Sequence, residues 1–242
     1  MALVRSLIDF ALPPRCPLCG DIVQNADSFC LACWRGLDFI GPPWCAGCGK
    51  PFAYERPADS LCGGCIADPP VHDGVRAAVR YDENSRKLAI ALKYSGRLGN
   101  ARLIAQQLRR FLTDVPVDAV IVPVPLHRWR LWSRGFNQSV LIGKELAQLG
   151  GLEFLPDLLR RVVRTPQLRG MRRKERIKTL RKAIALAPFA QSMLAGRTVI
   201  LVDDVYTSGA TAAACATALR RGGAAKILVF CWARVLDEEE II

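Results

Sequence analysis

Residues 199–211 read VILVDDVYTSGAT. An apolar run from Val199 to Val202 meets two adjacent carboxylates, Asp203 and Asp204, then small and hydroxylated residues around Gly209. Such a run reads as a strand buried on both faces, as in a parallel sheet. The segment behind it, ATAAACATALRRGG (210–223), reads as a helix stopped by glycine. In open parallel α/β sheets, ligands bind beyond the C-terminal ends of strands, and the sequence places Asp203 and Asp204 at one. Thr207, Ser208, Gly209, Ala210 and Thr211 then gather backbone N–H groups and hydroxyls at a helix start, a geometry that binds phosphate. Carboxylates repel phosphate, so these two need other work. They can accept hydrogen bonds from vicinal sugar hydroxyls, or organise Mg²⁺ directly or through water. A helix-capping role would explain one acid but fits two poorly. A phosphate cradle beside two acids describes a pocket for ribose 5-phosphate.

The neighbouring segments continue the α/β pattern. VRAAVRY (75–81), DAVIVPV (118–124), RTVILVDD (197–204) and KILVFCWARV (226–235) read as strands. SRKLAIALKY (85–94) and ARLIAQQLRRFL (101–112) read as amphipathic helices split by SGRLGN, and Asn137 to Leu149 as another helix. The expected fold class is α/β, a parallel sheet flanked by helices. GxxxxGK[ST] is absent, which excludes a standard P-loop, and no GxGxxG follows a strand. No apolar run reaches the roughly 18 residues of a membrane helix. The N-terminal stretch lacks a small-residue cleavage site, and a cytoplasmic protein is expected.

Eight of the ten cysteines lie between Cys16 and Cys65, as four CxxC pairs: Cys16/Cys19, Cys30/Cys33, Cys45/Cys48 and Cys62/Cys65. Each pair puts two thiolates on one side of a tight loop, and two pairs complete a tetrahedral Cys₄ zinc site. Two structural zinc ions are expected, and the spacing allows sequential or interleaved pairing. CPLCG and CAGCG end in glycine, read as letting N–H groups approach the sulfurs. A head of about 70 residues is short of core, and metal would supply the missing stability. DPPVHDG reads as a linker, dividing the chain into a zinc-ribbon domain (1–70) and a second domain (71–242). His72 reads as incidental there, and Cys215 and Cys231 as buried thiols.

The formal net charge is +12, and residues 160–182 hold eleven Arg and Lys against one acid, Glu175. Such a block is ordinarily a solvated face. The Thr165, Gln167 and Gly170 it also carries favour a phosphate-rich partner.

With the aspartate pair, the cysteine knuckles, ALKYSGR, VPVPLHRWRLWSRGFNQS and TPQLRGMRRKER occur in one order and spacing. The chain thereby resembles the competence protein F family, and VILVDDVYTSGAT resembles the phosphoribosyl pyrophosphate (PRPP) motif of type I phosphoribosyltransferases. The resemblance covers nearly the whole chain. It implies a type I phosphoribosyltransferase-like sheet behind a double zinc ribbon, and Mg²⁺ with PRPP. Asp203 and Asp204 would be catalytic and touch ribose hydroxyls; Thr207, Ser208, Gly209, Ala210 and Thr211 would hold the 5-phosphate. Arg128, Arg130 and Arg134 would supply positive charge to a pyrophosphate loop. Thr165, Gln167 and Arg176 fall where a loop closes over PRPP. The family often has Asn where Thr179 stands, a departure from the loop pattern.

Simpler roles exist for some of these positions. Pro123 and Pro125 can stiffen a loop end, Asn137 can cap its helix, and His127 can be a surface residue. With no N-terminal catalytic cysteine, a glutamine-dependent amidotransferase reaction is not expected. Two functions follow: Mg²⁺-dependent phosphoribosyl transfer to an acceptor, or single-stranded DNA binding in natural transformation, in contact with DNA-uptake machinery, with PRPP regulatory or vestigial. Trp129 and Trp132, set among arginines, could stack on bases, although packing under the loop is the commoner fate.

Overall fold

The computed structural model describes residues 13–95, 98–163 and 183–236. The body is a five-stranded parallel sheet of β1 (Gly74–Arg80), β2 (Val120–Pro123), β3 (Glu153–Phe154), β6 (Thr198–Tyr206) and β7 (Lys226–Arg234), in spatial order β1-β7-β6-β2-β3. A separate antiparallel pair joins β4 (Leu159–Arg161) to β5 (Ile184–Leu186). The two central strands are apolar on both sides, which is why their sequences show no alternation: Val199, Ile200, Leu201 and Val202 are all fully buried.

Each sheet face has its own cover. On one face α3 (Glu83–Ser95), α4 (Leu98–Leu108) and α6 (Gln138–Gly150) bury Leu88, Leu92, Ile104, Leu108, Ile142 and Leu146 against Ile200, Val202 and Phe230. On the other, α7 (Ala190–Leu194), α8 (Ala210–Arg221) and the β4–β5 pair pack on Val199, Leu201 and Val229. The alanines of α8 let its backbone lie close to the strands; Ala212, Ala214, Cys215, Ala216 and Ala218 are all buried. Cys215 and Cys231 are buried thiols, as expected, and burial pushes both pKa values well up.

The cysteine-rich head lies against this body. It contains α1 (Leu31–Arg35) and α2 (Gly63–Ala67). Residues 38–40 pair antiparallel with β1, through Arg80 N–H to Asp38 O at 2.8 Å and Ile40 N–H to Ala78 O at 3.1 Å. This covers an otherwise open sheet edge. Phe29 stacks on Trp232 at 6.3 Å, and the Arg76 guanidinium sits 4.7 Å from the Trp44 ring. No helix is long and apolar enough to cross a membrane among the described residues.

Two expectations change. The strand carrying the aspartates runs on to Tyr206, because Val205 and Tyr206 still pair with Ala233 and Arg234 of β7. Asp203 is terminal only toward β2, whose pairing stops at Pro123 opposite Val202. The break between the first two body helices is also shorter than SGRLGN, since α3 extends to Ser95 and α4 begins at Leu98. The segment holding Thr165, Gln167, Arg176 and most of the basic block lies outside the described residues.

Candidate functional site: a cradle at the end of the central strand and two Cys₄ centres

The strand β6 sends Asp203 and Asp204 in opposite directions, as alternation requires. The Asp203 carboxylate accepts a hydrogen bond from the Ser139 hydroxyl at 3.2 Å and from the Asp204 N–H at 2.9 Å. Asp204 is buried and pairs with the Lys93 ammonium of α3 at 2.6 Å. Burial, and then the neighbouring Asp204 charge, push the Asp203 pKa up to about 8. A carboxylate so disfavoured as an anion would be relieved by a cation or by hydroxyl donors, and carboxylate oxygens suit a hard ion such as Mg²⁺. Lys93 stands in ALKYSGR, but nothing local in that segment marks it as the partner of an acid more than a hundred residues away.

Behind the aspartates the chain turns through Thr207 and Ser208 into Gly209, which has φ +72° and caps α8. The cap supplies no side-chain hydrogen bond, and the first turn of α8 carries no acid. Its leading N–H groups are therefore open to an anion. Thr207 is exposed, Ser208 and Thr211 half-buried, and Gly209 and Ala210 buried. Gly209 is required twice: by its left-handed backbone, and because a Cβ there would lie 2.8 Å from Tyr206 Cζ and overlap the Tyr206 hydroxyl. The neighbour that crowds Gly209 is thus Tyr206.

Tyr206 brings in a histidine that the sequence left aside. His72 is buried, with Nε2 3.2 Å from the Tyr206 hydroxyl and its ring edge-on to the phenol. The other histidine, His127, is buried rather than on the surface; its Nδ1 accepts from Trp129 N–H at 3.3 Å and caps α5 (Arg128–Arg134). Asn137 caps α6, accepting from Ser139 N–H at 3.0 Å while donating to Val124 O at 2.9 Å. That cap sets Ser139 against Asp203. Next to it, Gln138 is buried and its side-chain oxygen accepts no hydrogen bond among the described residues. Arg161 of β4 is half-buried, near Arg130 and Asp203; burial and then the Arg130 charge lower its pKa.

Among the arginines of the expected pyrophosphate loop, Arg128 and Arg130 are exposed and Arg134 is half-buried. Trp129 and Trp132 lie in the same helix, α5. They are 56% and 81% exposed, edge-to-face at 5.8 Å, beside an open groove of about 600 Å³.

The eight head cysteines form two clusters in chain order, Cys16, Cys19, Cys30, Cys33 and Cys45, Cys48, Cys62, Cys65, with the sulfurs of each within 4.8 Å of one another. The pairing is sequential, not interleaved. Cys19–Cys30 and Cys48–Cys62 sulfurs are 3.6 Å apart, close to the spacing of about 3.8 Å set by tetrahedral Zn–S bonds of about 2.3 Å. The donor set and its spacing fit zinc. Gly20 and Gly49 adopt φ +83° and +69° and donate to the Cys16 and Cys45 carbonyls, so their role is the left-handed turn. A sulfur contact comes instead from Cys62 N–H to Cys45 Sγ at 3.2 Å. Within this centre burial pushes the Cys48 and Cys65 thiols up, while N–H groups including those of Cys48 and Cys62 draw Cys45 down against its burial.

Residues 7–66 match the double zinc ribbon domain family. The Saccharomyces cerevisiae adenine phosphoribosyltransferase structure aligns over 65% of this chain and 71% of its own, with 19% identity and a TM-score of 0.35. Competence protein F of Haemophilus influenzae is 29% identical over 227 residues, 91% of this chain and 96% of that protein. The DNA utilization protein YhgH of Salmonella typhi is 34% identical over 199 residues, 79% of this chain and 84% of that protein. The double zinc ribbon, the parallel sheet behind it and relatives matched over most of both lengths place this chain in the competence protein F family.

Proposed function

We propose that the chain is a cytoplasmic PRPP-binding protein that transfers phosphoribosyl, with Mg²⁺, to an acceptor. The observation that carries this reading is the turn after β6. A 12-residue helix begins there without a side-chain cap, beside a carboxylate that burial holds poorly as an anion. Thr207, Ser208, Gly209, Ala210 and Thr211 would hold the 5-phosphate, and Asp203 the ribose hydroxyls or the Mg²⁺. Asp204 would act with it from a position fixed by Lys93. Mg²⁺ would neutralise the departing pyrophosphate. Arg128 and Arg134 would add positive charge, and Thr165, Gln167 and Arg176 would contribute from the basic segment. Phosphoribosyl transfer passes through an oxocarbenium-like state, so positioning and electrostatics would dominate. Residues 1–70 and 71–242 are the proposed domains. Titration calorimetry with PRPP and Mg²⁺ tests the site. Wild type should bind, and Asp203→Asn/Asp204→Asn should lose tenfold or more, as for one charge-assisted hydrogen bond of about 1.5–3 kcal/mol. Equal binding by both proteins would remove the aspartates from the site. A pyrophosphate-release screen over bases, amines and oligonucleotides would identify the acceptor.

A second reading has its own support. Trp129 and Trp132 stand exposed among Arg128, Arg130 and Arg134, an arrangement suited to stacking and phosphate contact. The Salmonella typhi relative is named a DNA utilization protein. In this reading the chain grips single-stranded DNA during uptake, alongside uptake machinery, and PRPP is regulatory or vestigial. Trp129→Ala/Trp132→Ala should weaken oligonucleotide binding by about 1–3 kcal/mol per lost stack. Replacing Arg169, Arg172 and Arg173 with Ser should lower the salt slope by about 0.7 per lost phosphate contact. If neither changes, DNA binding at these residues is refuted.

A further inference from the structure

Arg234 ends β7 and is 6% exposed. A cation so deeply placed needs a counter-charge or it destabilises the fold. Its guanidinium donates to Cys48 Sγ at 3.4 Å, a ligand position of the second Cys₄ cluster. Its other face lies 5.4 Å from the centre of the Tyr206 ring. Tyr206 is the register partner of Arg234 across β6 and β7, and its phenol sits under Gly209, the cap of the cradle helix. The order of contact is therefore Cys48, Arg234, Tyr206, Gly209. The first cluster has no equivalent link among the described residues.

We propose that Arg234 is a positioning residue that couples the second Cys₄ centre to the phosphate cradle, so that the state of that centre governs the order of residues 207–211. Four thiolates around one divalent zinc leave a net negative charge, and this is the counter-charge the guanidinium requires. While it persists, Arg234 is held, Tyr206 is clamped between Arg234 and His72, and the left-handed turn at Gly209 rests on a fixed floor. Once the centre loses a thiolate ligand, its negative charge shrinks, Arg234 loses its partner, and the floor loosens. A merely structural Arg234, holding the ribbon on the sheet, would leave the cradle unchanged. That the cradle takes a sugar phosphate rests on the function proposed above; the mechanical link does not.

The test uses full-length, zinc-loaded protein with three readouts: zinc per chain, amide hydrogen exchange of residues 207–211, and PRPP titration with Mg²⁺. Arg234→Met, which keeps length but removes charge, should raise exchange of the cradle amides and weaken PRPP binding about tenfold, the effect of one lost charge-assisted hydrogen bond. Arg234→Lys should recover part of both. Cys48→Ser should raise exchange of the same amides, while Cys19→Ser, in the other centre, should leave them unchanged. Should Arg234→Met fail to fold, the two cysteine variants decide the matter. Cradle exchange that ignores Cys48→Ser, or responds equally to Cys19→Ser, overturns the coupling. If wild type binds no PRPP, the sugar-phosphate reading falls, and the exchange data still decide the link.

Discussion

Replacing Gly209 with alanine adds one methyl group at the point where the cradle rests on the sheet. Two costs follow. A non-glycine residue at φ +72° is strained by about 1–2 kcal/mol. The new Cβ also lies 2.8 Å from Tyr206 Cζ and overlaps the hydroxyl of a side chain that cannot retreat. Tyr206 is 6% exposed, faced by Arg234 and in contact with His72. Overpacking of this kind costs about 1–3 kcal/mol, so Gly209→Ala should lose about 2–5 kcal/mol in all. The loss should show as a lower Tm, at about 2–4 °C per kcal/mol for a chain of this size. If the turn rearranges to escape the clash, the loss should move into PRPP affinity. Removing the clashing atom separates the two costs. Tyr206→Phe alone should cost about 1 kcal/mol for its hydrogen bond. In the double variant the two losses should be less than additive by about 1 kcal/mol, since contacting residues couple by that order. Scanning calorimetry supplies Tm and titration calorimetry supplies affinity. A Gly209→Ala protein with wild-type Tm and wild-type affinity would refute the reasoning. Strict additivity would place the Tyr206 hydroxyl elsewhere.

Other outcomes follow from the same geometry. Protein purified without added metal should carry two zinc ions per chain by elemental analysis, and chelation should unfold the head before the body; near-zero zinc with formed disulfides would contradict this. The raised Asp203 pKa makes the folded state bind a proton that the unfolded state has released. The unliganded protein should therefore lose stability as pH rises from the ordinary carboxylate pKa of about 3.9 toward about 8, and Asp203→Asn should flatten that part of the profile in denaturant titrations. Lys93→Met strands the buried Asp204 carboxylate and should cost about 3–5 kcal/mol, while Lys93→Met/Asp204→Asn should recover much of it; a double variant no more stable than Lys93→Met argues against the ion pair.

What the sequence determined is what local chemistry carries. Apolar β-branched runs announced the buried central strands, the alanines of residues 210–218 a close-packed helix, and CxxC spacing two metal centres. Each is a pattern of neighbours whose physical meaning survives without a fold. Short elements escaped, because five residues such as Ala190–Leu194 or three such as Leu159–Arg161 hold less than two turns or a full alternation. The tertiary structure decided which cysteines share a centre, since CxxC spacing satisfies sequential and interleaved sets alike. It also decided the partners of the aspartates. Lys93 reaches Asp204 from a helix across the sheet, and Ser139 reaches Asp203 only because Asn137 caps α6 beside the end of β2. His72, Tyr206 and Arg234 lie far apart in the chain, and no spacing rule joins them. They meet because parallel register sets Tyr206 beside Arg234, and because the chain entering β1 brings His72 onto the Tyr206 hydroxyl.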